Sequence, residues 1–470
     1  MDATRIDPVG TGAGPDRRRW AALVLLCVAS FIVILDSQVV ILALPSIQKG
    51  LSLSPAQAQW ALTANAVTFG GLLLLGGRAA DLLGRRRIFL VGVALYLVTS
   101  LVSGLAWDGG VLVAARAVHG LSSALMVPSA LSILMNTFPK GRERNRAVAS
   151  WSAVGGVGAV IGLLVGGGLT TGLGWQWVFF VNVPVVLAVL IAAPFVLRES
   201  RATGQRRTFD VAGAAVVTAA LVALIYATVN GPAAGWTSTS TLGLYAAAVV
   251  LGALFVLIEN RSAAPLVPLG FLRRRTVLVG NLLMVLGATV VWGEGLLVSL
   301  HTQQVMGYTA FQSGLASAAM PITSVAGAYV GQAMVTRYGF RIPLWLSAIL
   351  LAAGCLLLAS LPVHAALATD ILVPLVVFGA GQGAGNAATQ IVALTRVAEP
   401  ESGLASGLIS AVFQIGGAIG AAVVTTVAAA VTAGSTAPSD LAAGFHAGFF
   451  VLAGLCVGLI ALAFPLRRTE

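Results

Sequence analysis

From residue 20 almost to its end, the chain repeats one pattern: an apolar run long enough to cross a bilayer, then a short polar break. A helix needs about 20 mostly apolar residues to span the roughly 30 Å hydrocarbon layer. In lipid such a segment must satisfy its backbone internally, which leaves helices or a closed barrel. Runs of this length fall near 20–44, 57–79, 88–106, 110–136, 146–170, 177–197, 211–230, 242–259, 277–303, 312–335, 342–361, 371–395, 403–432 and 445–466, predicting fourteen transmembrane helices and an all-α membrane protein. Composition agrees. Of 470 residues 58% are hydrophobic and 9% charged, against roughly 25% charged in a soluble domain. Lipid must be the solvent for much of this surface.

The net charge of +11 invites a nucleic-acid reading, but its distribution points elsewhere. An even number of spans puts both termini on one side. All but two of the 27 basic residues then lie on that side, Lys49 and the intramembrane Arg116 being the two others. Positive charge marks the cytoplasmic face, so the basic residues read as topology signals rather than a nucleic-acid patch. The expected location is a bacterial cytoplasmic (inner) membrane, multi-pass, with cytoplasmic termini. Cys27, Cys355 and Cys456 all fall in apolar runs, with neither a disulfide framework nor metal-ligand spacing. A Gly-x-x-x-x-Gly-Lys-Ser/Thr phosphate loop is lacking, so ATP is not expected to drive this chain. No set of catalytic side chains converges on a soluble face, which argues against an enzyme.

The expected division is a cytoplasmic tail (1–19), an N-terminal six-helix bundle (20–197), two extra transmembrane helices with flanking cytoplasmic loops (198–276), and a C-terminal six-helix bundle (277–470). A faint repeat supports it. The segment from Gly77 to Arg86 aligns without gaps on that from Gln332 to Arg341, pairing Gly84 with Gly339 and Arg86 with Arg341. Parallel repeats of this kind build transporters around a central site.

Six motifs carry a resemblance. They are Leu35-Asp36-Ser37-Gln38 running to Pro45; the loop Gly77 to Arg87; Arg116 with Gly120; the glycine run Gly158, Gly162, Gly166 and Gly167; Trp175-Gln176-Trp177 running to Asn182 and Pro184; and Phe209-Asp210 with Gly235-Trp236, Glu259 and Pro265 to Leu269. Together they make the chain resemble the major facilitator superfamily, and within it the fourteen-span drug:proton antiporter family of multidrug and antibiotic exporters. The resemblance covers nearly the whole chain and is silent on substrate. It departs from the family pattern at Leu163, where proline is usual, at Gln176, where arginine is usual, and at Asn65, often an aromatic. These departures bear on the direction of antiport and on the substrate spectrum.

Ionisable residues inside a membrane are costly and face a cavity or a partner. Asp36 lies about 12 Å, Arg116 about 9 Å and Glu294 about 14 Å from the outer ends of their helices, taking 1.5 Å per residue. The resemblance puts all three on helices lining a central cavity. Asp36 is the expected proton carrier, its charge balanced between burial and a nearby cation, and Arg116, which stays charged, its partner. The alternative is a fixed bridge that only joins helices. Glu294 is expected as a second protonation site or a counter-ion for a cationic drug, or else as a protonated acid bonded to a neighbouring helix. Gln38, His119 and Trp292 complete the expected substrate cavity with Asp36 and Glu294, Trp292 offering a cation–π wall. His301, on the face of Glu294, is a candidate relay or a solvated edge residue.

The resemblance implies a conformational latch in Gly77, Asp81, Gly84, Arg85 and Arg86, with Asp81 pairing Arg85 or Arg86 or capping a helix. Gly158, Gly162 and Gly166 make a smooth stripe for close helix packing, within or between halves. The expected function is proton-coupled efflux of a lipophilic or cationic drug by alternating access. The partners are a small-molecule substrate, protons and the lipid bilayer, with a monomer working without cofactor on the proton gradient. An exporter or facilitator of an endogenous metabolite such as a pigment, amino acid or siderophore is the alternative.

Overall fold

The structure, a computed structural model, describes residues 17–138, 142–200, 210–262, 269–272, 274–362, 366–394, 402–464 and 466. Helices and short turns make up all of it, with no strand among the described residues. The helices are α1 (Arg17–Gly50), α2 (Pro55–Leu83), α3 (Arg85–Gly104), α4 (Gly109–Thr137), α5 (Arg142–Gly172), α6 (Trp177–Phe180), α7 (Asn182–Val196), α8 (Val211–Ala234), α9 (Thr239–Arg261), α10 (Leu269–Leu272), α11 (Arg275–Leu300), α12 (Ala310–Ser317), α13 (Ala319–Tyr338), α14 (Arg341–Leu358), α15 (Val373–Leu394), α16 (Ser402–Thr432) and α17 (Pro438–Ala463). Eleven helical segments among the described residues are long and apolar enough to cross a membrane. Helices α2, α8 and α13 stand at the other three positions where the sequence predicts a span.

Departures from straight helices follow local chemistry. The predicted span at 177–197 is broken at Val181 into α6 and α7, with Pro184 in the first turn of α7, where a missing N–H costs nothing. The span at 312–335 breaks at Ala318 into α12 and α13. Helix α11 runs on into a π-helical turn, His301–Val305, and α15 is preceded by another, Leu367–Leu372.

Packing recurs along the chain. Helix α1 lies on α5 as α11 lies on α16, α2 on α4 as α13 on α15, and α3 on α7 as α14 on α17. Small residues permit these approaches. Gly158 meets Phe31 and Ile34, Gly162 meets Leu35 and Gln38, and Gly166 meets Val39, so the stripe on α5 seats α1. Gly416 and Gly420 seat α11 on α16 in the same way, against Val285 and Thr289. The stripe therefore does not join α1–α7 to α11–α17. That junction uses other residues of α5. Gly156 meets Val325 of α13, Gly167 meets Ala310 and Phe311 of α12, and the Leu163 carbonyl abuts Gly314.

The contacts between α1–α7 and α11–α17 gather toward the end that carries the α1–α2 turn. Ser299 Oγ donates to the Ile41 carbonyl (3.3 Å), Gln303 Nε2 to the Leu42 carbonyl (3.1 Å), and the Phe311 amide to Thr171 Oγ1 (3.1 Å). On another side α16 packs on α2, and α8 lies against both of them, with Thr218 Oγ1 donating to the Gly71 carbonyl at 3.1 Å.

Candidate functional site

The site is built where α1, α3, α4, α6 and α7 converge. Asp36 sits mid-way along α1 and is 1% exposed; Arg116 and His119, one turn apart on α4, are each 1% exposed. Arg116 Nη1 donates to Asp36 Oδ2 at 2.7 Å, and its Nε donates to the Ala61 carbonyl of α2 at 3.3 Å. The Phe179 ring of α6 lies 5.8 Å from the guanidinium carbon, a cation–π distance. The other carboxylate oxygen, Oδ1, accepts from Asn182 Nδ2 at 3.2 Å. Asn182 is the first residue of α7, so the break at Val181 is what turns its amide toward Asp36.

His119 completes the cluster. Its Nε2 lies 3.5 Å from Asp36 Oδ2, and its Nδ1 is 2.9 Å from Thr99 Oγ1 of α3. The Tyr96 ring packs on the imidazole with centroids 4.0 Å apart, while the Tyr96 hydroxyl donates to the Ile32 carbonyl at 3.1 Å. The carboxylate is thus paired, hydrogen-bonded on both oxygens and sealed from solvent. Breaking such a pair by removing one partner is costly, because a buried charge is left alone.

Residues that sequence reasoning grouped as one cavity separate here. Asp36 and His119 are enclosed at the helix junction, each 1% exposed. Gln38 is half-buried against Gly162 of α5. Glu294, 0% exposed, lies on α11, and neither carboxyl oxygen has a hydrogen-bond partner among the described residues. Trp292 does not join it. Two residues apart on a helix means about 200° of rotation, and Trp292 packs instead on Gly417 and Phe413 of α16 (ring centroids 6.4 Å apart). Trp292 and Glu294 therefore face different neighbours rather than one another. His301 is fully buried rather than solvated, stacked on His446 of α17 at 5.6 Å.

A cavity of about 50 Å³ opens between α11, α14, α15, α16 and α17, with Ser347, Gln382, Asn386, Thr389 and Phe413 among its lining. Gln382 Oε1 is buried there without a partner among the described residues. None of the residues selected from sequence lines it. The amides sit on α15, where the sequence shows no charge to draw attention.

At the opposite end from the α1–α2 turn, the Gly77–Arg87 loop is held by Glu199, which follows α7. Its carboxylate accepts from the Arg86 amide (3.1 Å) and the Arg87 amide (3.2 Å), capping α3. Arg87 Nε lies 3.8 Å from the same group. Glu199 thus caps α3; the Asp81 side chain, a candidate for pairing with Arg85 or Arg86 or for a helix cap, lies outside the described residues. Arg86 Nη2 donates to the Pro194 carbonyl at 2.7 Å, and the backbone N–H of Arg85 donates to the Ser200 carbonyl at 3.0 Å. Gly84 has φ +114°, where a side chain would be strained and would also meet Glu199. Gly77 passes Pro128 of α4 in ordinary van der Waals contact. The second repeat copies this corner. Gly339 has φ +77°, and Arg341 Nη2 donates to the Phe464 carbonyl after α17.

Serial apolar helices around a buried ion pair mark a polytopic membrane protein, and the family match makes it a transporter. The family model described as Major Facilitator Superfamily matches residues 26–421 and 295–470, and the chain belongs to that superfamily. It is 37% identical over 371 residues (78% of this chain, 69% of the relative) to the uncharacterized MFS-type transporter EfpA of Mycobacterium tuberculosis. It is 36% identical over 405 residues (85% and 80%) to the puromycin resistance protein pur8 of Streptomyces alboniger. It is 34% identical over 403 residues (84% and 81%) to the lincomycin resistance protein of Streptomyces lincolnensis. Among solved structures, a bacterial homolog of the human lysosomal transporter Spinster, inward-facing and unoccupied, superposes with a TM-score of 0.69 at 19% identity, covering 96% of this chain and 97% of that one. At that identity the likeness concerns the fold.

Proposed function

We propose that this protein exports a lipophilic or cationic drug or antibiotic across the bacterial cytoplasmic membrane in exchange for protons. The reading takes fourteen spans, two six-helix bundles with an extra pair between them, and cytoplasmic termini. The single observation that carries it is the sealed Asp36–Arg116 pair with His119 and Asn182 around it. A carboxylate this deep is costly unless paired. Arg116 keeps its charge, so the proton must ride on another group. Relatives named for puromycin and lincomycin resistance support the substrate class.

With the termini cytoplasmic, the contacts of Ile41, Leu42 and Thr171 lie at the outer end and close it. Opening that end requires breaking them, while the α5 and α16 glycine stripes stay seated within their own halves. Protons from outside would then reach the cluster around Asp36, weaken the hold of the carboxylate on Arg116, and return the carrier to the inward state. Glu294 is a second acid inside the α11–α17 half. Proteoliposomes loaded with ethidium or puromycin test this reading. Flux should follow an imposed pH gradient and be lost in Asp36→Asn. Flux indifferent to the gradient would instead favour a facilitator, as Leu163 in the glycine run suggests.

A further inference from the structure

We propose that His119 carries the coupling proton, as an imidazolium bonded to the Asp36 carboxylate, and that Thr99 fixes which ring nitrogen is free to do so. The inference rests on the antiport reading above and names the group at which the proton is held.

The argument begins with one hydroxyl. Thr99 Oγ1 lies 2.8 Å from the Leu95 carbonyl, 3.1 Å from the Tyr96 carbonyl and 2.9 Å from His119 Nδ1. The two carbonyls only accept, and the hydroxyl has a single hydrogen. The back-bond from a helical threonine to the carbonyl four residues earlier takes that hydrogen. The oxygen is then an acceptor toward the ring, so Nδ1 carries a hydrogen and donates. The Tyr96 hydroxyl is engaged with Ile32 and does not compete. Ser122 and Ser123 hydroxyls donate to the His119 carbonyl at 2.6 and 3.2 Å and leave the ring alone.

Nε2 is therefore the titrating nitrogen. It is buried, has no hydrogen-bond partner among the described residues, and stands 3.5 Å from Asp36 Oδ2. Without a proton, two lone pairs face each other across that gap. One proton turns the gap into a charge-assisted hydrogen bond. The charged and titratable groups facing the ring are Asp36 from α1, Tyr96 from α3 and Arg116 from α4 itself; α7 presents the neutral amide of Asn182. Among the described residues Asp36 is the anion of this cluster, so the charge on His119 and the hold of Arg116 on the carboxylate are linked. Loading forms one N–H bond with a proton from outside water. Unloading breaks that bond and passes the proton to cytoplasmic water, and no other bond changes.

The test uses the full chain in lipid nanodiscs with 15N-labelled histidine. The sequence has 4 histidines, and the His119 signals are those lost in His119→Gln. Asparagine at this position, whose amide nitrogen falls near Nδ1, serves the assignment if the glutamine variant does not fold. At high pH the ring should show the Nδ1–H tautomer, becoming doubly protonated as pH falls from about 9 to about 5. Thr99→Val should abolish the tautomer preference, and Asp36→Asn should move the titration midpoint. A neutral Nε2–H tautomer, or one protonation state throughout, overturns the proposal. Gradient-driven ethidium efflux separates the two levels. Loss in Asp36→Asn with full retention in a folded His119→Gln sinks this inference and leaves antiport intact. Retention in both sinks antiport itself.

Discussion

Replacing Arg116 by methionine tests how much of the α1–α7 packing depends on one buried charge pair. The substitution removes the 2.7 Å bond to Asp36 and the 3.3 Å bond to the Ala61 carbonyl. Both have the charged guanidinium as donor, and a hydrogen bond to a charged group contributes about 1.5–3 kcal/mol. Methionine keeps most of the side-chain volume, so the cavity contribution is small. The orphaned carboxylate retains Asn182 and takes up a proton, which limits the total. The expected loss is about 3–5 kcal/mol, as for other broken buried pairs. At roughly 2–4 °C per kcal/mol for a domain of this size, the melting point in detergent should fall by at least 6 °C or so. Asp36→Asn in the same background should recover most of that, because no charge is then left unpaired. The assay is a thermal melt followed by size exclusion, run on both single variants and the double variant. If Arg116→Met melts within about 2 °C of the parent, or the two losses simply add, the pair is not the electrostatic centre described here.

Three further outcomes follow from the geometry. Gly166→Leu should abolish a stable fold, because a Cβ there would stand 2.8 Å from the Val39 Cα, whereas Gly172→Ala, with nothing within 4 Å, should express like the parent. Glu199→Ala should lower stability by about 1–2 kcal/mol through loss of the α3 cap, with Glu199→Asp recovering part of it, both read by thermal melt. Glu294→Leu should raise the melting point by the equivalent of about 1–3 kcal/mol, since both carboxyl oxygens are buried without partners; a lower melting point would mean they are bonded after all.

The helices were legible because lipid demands them: apolar length alone marked their positions. The repeat was legible in two letters. Gly84 and Gly339 both adopt positive φ, and Arg86 and Arg341 both reach a carbonyl at the end of a later helix. The meeting of Asp36 with Arg116 follows from depth, since two opposite charges at similar height in hydrocarbon have few other places to go. What surrounds them did not follow. Asn182 stood in a motif with no role attached, and its contact depends on a helix break at Val181 that hydropathy does not register. Thr99 and Tyr96 look like ordinary span residues. Glu294 and Trp292 are neighbours in sequence but face apart, because angle around a helix matters more than separation along it. Glu199 escaped notice because its partners are backbone amides more than a hundred residues away.

Helix α8 lies across the line where α2 meets α16, and α9 lies against α8. The other line of contact, where α5 meets α12 and α13, has no helix over it among the described residues. A molecule dissolved in the bilayer thus encounters two unlike flanks. One is covered by the α8–α9 hairpin, and the other has no such cover among the described residues. If the proposed export draws its substrate from the bilayer, the flank along the Gly156–Gly167 edge of α5 is the side by which it would enter.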